Sequence, residues 1–278
     1  MTGVGSHGEN GGGAADRPMV LVDRAGPVVT LTLDSPHNRN ALSVRLLGEL
    51  LAALREAQDD LDVRVVVLTG TGTVFCSGMD LQERLHGPAA PDGETDNAPP
   101  ASDDERPATL PEVLTCLVGL PQPVVARVNG HVRAGGMGLV AASDMAVAGP
   151  SATFAFTEVR VGVAPAVIAV PALRVMGRRA FARYGLTGEV FGAAEAAAAG
   201  LLTAVSDDVD GWVDAVVRSC LRSSPTAVAA TKGLLADGRW DDAMAAAESL
   251  SDELFASPDG AEGMAAFLDK RPPRWTAD

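Results

Sequence analysis

"PVVARVNGHVRAGGMGLVAASDMAVAG", residues 123–149, contains the pattern that decides the fold. The apolar run PVVARVN (123–129) predicts a buried strand, GGMGLVAAS (135–143) predicts an apolar helix, and DMAVAG (144–149) predicts a second strand. A strand, a helix and a strand in this order are typical of a crossover between parallel strands. The stretch therefore predicts an α/β fold.

The same rhythm continues towards the N-terminus. Alternating apolar residues over 28–33 predict one strand of a hairpin that turns at Gly26 and Pro27. Ser43 is placed to cap a helix whose leucines recur at helical spacing, and RVVVLTG (64–70) predicts the next buried strand. A second crossover unit is therefore expected before the first.

Composition divides the chain into three predicted regions. Residues 1–17 are expected to form a disordered tail, 18–210 an α/β core, and 211–278 a helical region. The Ala-rich amphipathic helices of the last region indicate an oligomerisation surface, with a lid over the core as the alternative. Within the core, the Pro-, Gly-, Asp- and Ser-rich stretch 86–109 predicts a long mobile loop.

Charge and cysteine content exclude several classes of protein. The net charge of −14 over 278 residues disfavours binding to nucleic acid, and no apolar run is long enough for a membrane helix. Cys76, Cys116 and Cys220 are odd in number and far apart, which argues against a disulfide framework and fits a cytoplasmic protein.

The four histidines form no constellation that would bind a metal ion. We place His7 in the tail, His37 in a turn and His86 in the mobile loop, and we expect His131 to be a packed loop residue. No metal site is predicted.

The segment FCSGMDL (75–81) follows a predicted buried strand. Gly78 frees the backbone there, so that the Met79 N–H can point into a cleft; an ordinary exit from a strand into a loop is the alternative. Cys76 is expected to be a packing residue, since no histidine or nucleophile elbow accompanies it.

The glycines at the start of the predicted helix indicate an anion site. Gly135 and Gly136 leave N–H groups unpaired at the positive end of the helix, although close packing of the helix on a sheet also explains them. The run from Gly136 to Ala141 also matches the dinucleotide pattern G-x-G-x-x-A. We disfavour that interpretation, because residues 129–135 separate the glycines from the preceding strand.

Glu158 lies between two apolar segments in FAFTEVRVGVAPAV (154–167). A carboxyl group in such surroundings tends to have a raised pKa and can act as an acid or a base. An ion pair with Arg160 or another cation is the alternative.

Taken together, these segments resemble the crotonase, or enoyl-CoA hydratase/isomerase, superfamily. The resemblance rests on SPHNRNAL (35–42), FCSGMDL, NGHVRAGGMGLVAASD (129–144) and FTEVRVGVAPAV (156–167), with EGMAAFLDKRPPRW (262–275) closing the chain. It implies a crotonase-like spiral of ββα turns, followed by C-terminal helices that assemble trimers or hexamers of the same chain.

The resemblance also implies a ligand, an acyl group on coenzyme A, and a role for each matching residue. It implies that the Met79 and Gly135 amides stabilise a thioester oxyanion, with Glu158 as the acid/base. Coenzyme A is part of the substrate, and no separate cofactor is expected. The residues implied in binding it are Asn38, Arg39, Ser77, Gly78, Asp80, Leu81, Gly136 and Lys270.

The sequence departs from the well-known hydratases at one position. The well-known hydratases have their first catalytic glutamate at the position of Gly138. Relatives similar to methylglutaconyl-CoA hydratases lack it, as this sequence does, and we expect the missing side chain to leave room beside the acyl group. Arg133 or Arg160 is a candidate to meet a distal carboxylate on that group. Hydration is the first prediction, double-bond isomerisation the second, and a non-catalytic acyl-CoA-binding protein the third.

Overall fold

The protein is described by a computed structural model over residues 17–86, 106–235 and 238–276. Within these ranges the strands form a six-stranded sheet in the order β1-β2-β3-β5-β7-β10 and a four-stranded sheet in the order β4-β6-β8-β9. The strands are β1 (Val20–Ala25), β2 (Val28–Leu33), β3 (Val65–Gly70), β4 (Val74–Cys76), β5 (Val124–Val128), β6 (His131–Arg133), β7 (Met145–Ala148), β8 (Thr153–Ala155), β9 (Phe191–Gly192) and β10 (Ala204–Val205).

The helices lie between and after these strands. They are α1 (Val44–Asp59), α2 (Leu81–His86), α3 (Leu110–Gly119), α4 (Gly135–Ala142), α5 (Ala166–Val175), α6 (Arg178–Thr187), α7 (Ala193–Ala198), α8 (Val209–Leu221), α9 (Pro225–Gly233), α10 (Trp240–Phe255) and α11 (Pro258–Leu268). A 3-10 turn at Glu158–Val161, named here the Glu158 turn, links β8 to α5.

The predicted hairpin and crossovers are confirmed. β1 and β2 pair antiparallel around Gly26, whose φ of +60° a glycine adopts without strain. β5 and β7 pair in parallel with α4 between them, as strand, helix and strand predicted. Ser43 caps α1 by accepting a hydrogen bond from the Leu46 amide at 3.2 Å.

Helices cover both faces of the six-stranded sheet. On one face the leucines of α1 and α3 pack with α4 in the main core. On the other face Val65, Val67, Val125 and Val147 pack under α8, with Val213 of that helix buried against them. Because both faces are buried, the central parallel strands are almost continuously apolar.

The small sheet was not predicted, and it corrects one interpretation. β6 is only three residues long, too short to show period-two alternation. His131 lies on this strand and is exposed, with its Nδ1 2.9 Å from the Thr153 hydroxyl, so it is not a packed loop residue.

The predicted boundaries between tail, core and helical region lie next to residue 17 and inside α8. The tail lies outside the described residues apart from Arg17, which pairs with Asp34 at 2.9 Å. Most of the predicted loop 86–109 also lies outside them, but His86 is wrongly placed there because it ends α2. The boundary after Asp210 falls inside the first turn of α8.

Candidate active site

Three neighbouring parallel strands end at one edge of the small sheet. β4 pairs with β6 through Cys76 and Val132, and β6 pairs with β8 through Val132 and Phe154. Met79, Gly135 and Glu158 come two or three residues after the ends of β4, β6 and β8. Ligands of α/β sheets bind at the carboxyl ends of such strands. The segments carrying the three predicted catalytic residues therefore leave the sheet side by side.

The segments that carry Met79 and Gly135 touch. A Cβ added at Gly78 would lie 2.6 Å from the Ala134 Cβ and 3.4 Å from the Gly135 nitrogen, so no other residue fits between them. Gly78 has a φ of +95°, and Ala134 has a φ of +44°, which is rare for a residue with a side chain. The backbone at this point is thus held in an uncommon conformation on both sides.

Among the described residues, the Met79 and Gly135 amides have no hydrogen-bond acceptor. Leu42 bridges the Met79 segment by donating to the Gly78 carbonyl at 2.8 Å and accepting from the Asp80 amide at 3.3 Å. Gly135 begins α4, where the first N–H groups have no intrahelical acceptor. Within the described ranges, neither amide donates a hydrogen bond. Two adjacent free donors can hold an oxyanion.

Gly136 and Cys76 explain how α4 approaches the sheet so closely. A Cβ at Gly136 would lie 2.7 Å from the Cys76 Cβ and 3.1 Å from its sulfur. Cys76 is fully buried, and burial raises the pKa of its thiol to about 12. The expectation that Cys76 is a packing residue is confirmed.

The Glu158 carboxyl group is largely buried at the start of its turn. Its Oε2 is buried and has no hydrogen-bond partner among the described residues. Burial raises the pKa of Glu158 to about 7, partly opposed by a hydrogen bond from its own backbone amide. The alternative of an ion pair with Arg160 or another cation is wrong, because no charged side chain in the described part of the chain contributes to the pKa of Glu158, and the Arg160 Nε donates to the Gly188 carbonyl at 2.9 Å.

Gly138 corrects the expectation of free space beside the acyl group. A Cβ at this position would lie 2.8 Å from Ile168 Cγ2 and 3.3 Å from Leu114 Cδ1. The volume is already filled by α5 and α3, so this glycine serves close helix packing. The same packing removes the grounds for a dinucleotide loop, since Gly136 and Gly138 both lie buried inside α4.

The Arg133 side chain binds Thr153 of the neighbouring strand in the small sheet. Its guanidinium donates to the Thr153 carbonyl at 2.7 Å and to the Thr153 hydroxyl at 2.8 Å. Partial burial lowers the pKa of Arg133. With Arg160 bound to Gly188, both arginines considered for a distal carboxylate already have acceptors in the protein.

Comparison with known proteins identifies the family to which this chain belongs. The model of the enoyl-CoA hydratase/isomerase family matches residues 23–278. The chain belongs to the enoyl-CoA hydratase/isomerase family. The resemblance to the crotonase superfamily and its fold is thereby confirmed, and the chain is an enzyme of that superfamily.

Several members of the enoyl-CoA hydratase/isomerase family match nearly the whole chain. A 2,3-dehydroadipyl-CoA hydratase of Escherichia coli (strain K12) is 32% identical, covering 91% of this chain and 97% of its own. The crystal structure of an enoyl-CoA hydratase from Mycobacterium avium is 41% identical with a TM-score of 0.78, covering 94% and 100%. That of a carnitinyl-CoA hydratase from the same species is 30% identical with a TM-score of 0.79, covering 94% and 100%.

Three of the residues predicted to contact coenzyme A form one polar network in this family member. The Asn38 side chain donates to Asp80 at 3.2 Å, and the Ser77 hydroxyl donates to the Asn38 carbonyl at 3.1 Å. Arg39 follows with a φ of +60° and an exposed side chain. The network ties the loop before α1 to the loop that carries Gly78 and Met79.

Leu81 and Lys270 belong to segments that border one surface groove. Leu81 begins α2, whose Arg84 lines the groove together with Leu268 and Asp269. Lys270 comes directly after these two residues and is exposed, with a φ of +54°.

Asn40 and Leu42 organise this region, and the sequence interpretation did not single them out. The buried Asn40 side chain donates to the carbonyls of Thr71 and Val74 at 3.1 and 2.8 Å. A signal was present, since an asparagine just before a helix cap tolerates positive φ, and Asn40 has a φ of +56°. Leu42 looked like an ordinary core residue, and only its bridge to Met79 sets it apart.

In residues 17–86, 106–235 and 238–276, no group of three His, Cys, Asp or Glu side chains is placed to hold a metal ion. Across those same ranges, no helix combines the length and the apolar character that crossing a bilayer requires.

Proposed function

We propose that this enzyme adds water reversibly across the C2–C3 double bond of a 2-enoyl-CoA thioester. The single observation that carries the proposal is the common strand edge at which the free Met79 and Gly135 amides and the Glu158 segment emerge. The family match supports a CoA thioester as substrate. The hydratase names of the E. coli and Mycobacterium avium relatives support hydration over isomerisation.

In the proposed reaction Glu158 handles both protons. Its carboxylate takes a proton from water as the water oxygen bonds to C3, and the double-bond electrons move onto the thioester oxygen. The Met79 and Gly135 amides donate to that enolate oxygen. The carboxylic acid formed at Glu158 then returns its proton to C2, which completes the addition of one water molecule.

The environment of Glu158 suits this double role. A pKa of about 7 makes both protonation states accessible near neutral pH, which is the condition for efficient acid–base catalysis. The step that begins hydration requires the carboxylate. Hydration activity is therefore expected to rise as the pH rises through about 7.

Backbone donors explain why a methionine can occupy position 79. Removing one preorganised oxyanion donor costs about 3 kcal/mol of transition-state stabilisation. Because the donor is the main chain, its position depends on the contact between Gly78 and Ala134 and on the start of α4, and not on the Met79 side chain. The proposal needs no cofactor beyond the coenzyme A of the substrate.

We also propose that the chain forms a homotrimer or a hexamer, as the sequence resemblance implies. Large apolar side chains remain exposed on the helical part of the single chain, which supports an assembly surface there. They include Leu234, Leu235, Leu250, Phe267 and Trp275 in the predicted helical region, together with Leu173, Val175 and Leu186 on α5 and α6. Analytical ultracentrifugation tests this, since a species at the 28.4 kDa of one chain would contradict it.

The variant Glu158→Gln tests the proposed function. We expect it to hydrate crotonyl-CoA at least about a hundredfold more slowly than the wild type, because the acid/base is lost while its shape is kept. Incorporation of ¹⁸O from labelled water identifies the product. The matched control is Glu56→Gln, an exposed glutamate on α1, which should leave the rate unchanged.

Three other outcomes would contradict the proposed hydratase function. Undiminished hydration by Glu158→Gln excludes Glu158 as the acid/base. Conversion of 3-enoyl to 2-enoyl esters by the wild type without ¹⁸O uptake establishes an isomerase. Tight binding of enoyl esters with no turnover establishes a non-catalytic acyl-CoA-binding protein.

A further inference from the structure

Helix α11 lies directly against the Glu158 turn, backbone to backbone. We propose that Gly263 is a positioning residue that seats α11 on the carbonyl of Val161 and so holds the Glu158 carboxyl group in its dry position. This inference rests on the proposed function, because it assigns a role to the C-terminal helix in the chemistry of Glu158.

Glycines on both surfaces make this contact possible. A Cβ at Gly263 would overlap the Val161 carbonyl and would lie 2.8 Å from the Val161 Cα. From the other side, a Cβ at Gly162 would overlap the Asp259 carbonyl and would lie 3.1 Å from the Gly260 nitrogen. The interface therefore has no room for a side chain at either glycine.

The opposite side of the Glu158 turn is fixed as well. Arg160 binds the Gly188 carbonyl, and a Cβ at Gly188 would lie 3.2 Å from the Phe156 carbonyl and 3.0 Å from the Arg160 Nε. Inside the turn, the Val163 amide donates to the Glu158 carbonyl at 3.2 Å. Since the turn is held between two close contacts, a shift of α11 would be passed to Glu158.

Helix α11 is itself firmly seated. Its cap residue Ser257 accepts from the Gly260 amide at 3.0 Å, and Met264 and Ala266 are buried. A side chain at Gly263 would therefore have to move the helix or the turn, because no flexible group lies in its way.

The acidic side chains of α11 are paired with arginines of the C-terminal segment. On α11, Asp259 pairs with Arg274 and Glu262 pairs with Arg271, each at 2.8 Å. The other charged groups on the elements packed against the turn are Arg178, Arg179 and Arg183 of α6, together with Arg160 of the turn itself. Burial, and not any of these charges, is the cause that raises the pKa of Glu158. Loosening the contact should admit water and lower that pKa.

The test compares Gly263→Ala with Gly48→Ala in the full-length enzyme. Gly48 lies inside α1, and a Cβ there would meet nothing within 4 Å, so it is a matched change of glycine to alanine in a helix. For Gly263→Ala we expect the acidic limb of kcat to move down by about one pH unit and kcat to fall about tenfold. KM for crotonyl-CoA should change less than about threefold. Gly48→Ala should match the wild type.

An unshifted acidic limb in folded Gly263→Ala overturns the inference, even if activity falls, because lost stability alone does not move the limb. The proposed function fails separately, through an active Glu158→Gln. If Gly263→Ala does not fold, native-state hydrogen exchange of the wild type in low urea tests whether α11 and the Glu158 turn open together. The amides of Arg160, Val163 and Ala261 should then exchange through one shared opening, and an independent opening of the turn contradicts the seating by α11.

Discussion

The fold holds the Glu158 carboxyl group in buried surroundings that disfavour its charged form. Its pKa of about 7 compares with an ordinary value near 4.5, and burial is the main cause. Between these two pH values the folded protein keeps a proton that the unfolded chain releases. The contribution of Glu158 to the stability of the fold is therefore most favourable below the lower value and falls as the pH rises to the upper one. Buried acids at functional sites commonly show such a conflict.

The variant Glu158→Gln should remove this loss of stability. Relative to the wild type, we expect its free energy of unfolding to increase between about pH 4.5 and pH 7, by up to about 3 kcal/mol. Urea unfolding at a series of pH values measures the difference. A difference between variant and wild type that stays constant with pH would contradict the raised pKa. The exposed control Glu56→Gln should show no such increase in the free energy of unfolding.

Gly138 shows how one residue can mislead when it is interpreted alone. The sequence comparison identified a missing acid, whereas the structure shows a helix surface pressed against Ile168. We expect Gly138→Ala to destabilise the protein by about 1–3 kcal/mol through overpacking. The penalty should be smaller when Ile168 is replaced by Ala, and a double-mutant cycle measures that coupling. Equal penalties in both backgrounds would show that Ile168 does not fill the site.

At the scale of elements, the ion pair of Lys232 and Asp144 fixes α9 to the sheet. The two side chains are 2.7 Å apart and only 9% and 18% exposed. Lys232 also donates to the carbonyls of Leu117 and Gln122 at 3.1 and 3.0 Å, and burial lowers its pKa. The helix thus anchors the junction between α3 and β5 from which the site is built.

Replacing Lys232 by Met should be strongly destabilising. Asp144 would remain partly buried without its cation, and breaking a buried pair in this way costs about 3–5 kcal/mol. Urea unfolding is the measurement, with Arg218→Met on the exposed side of α8 as the control. A loss no larger than that of the control would show that solvent already satisfies Asp144.

Elements with strong local signals were predictable from the sequence, and those defined by contacts were not. The Ser43 cap and the leucine spacing of α1, the hairpin at Gly26 and the strands β3, β5 and β7 follow from period and turn chemistry. β6 and β8 have three residues each, so pairing with neighbours, not local pattern, defines them. In the same way, nothing in an Ala-rich helix marks Lys232 as buried.

At the scale of the whole molecule, the candidate site is assembled from three segments spread over residues 79–158. The sequence identified Met79, Gly135 and Glu158 through motifs and a family resemblance. It did not identify Ile168 opposite Gly138, or α11 beneath the Glu158 turn. Those contacts join residues that are distant along the chain, and no periodicity or spacing reports them.

The central claim is that two main-chain amides and one dry carboxyl group converge on a thioester. A crystal structure with a bound saturated acyl-CoA tests it most directly. The account predicts the thioester oxygen about 2.7–3.1 Å from the nitrogens of both Met79 and Gly135, with the Glu158 carboxyl group facing C2 and C3. A thioester oxygen bound by other groups, or a Glu158 side chain turned away from the acyl group, would contradict it.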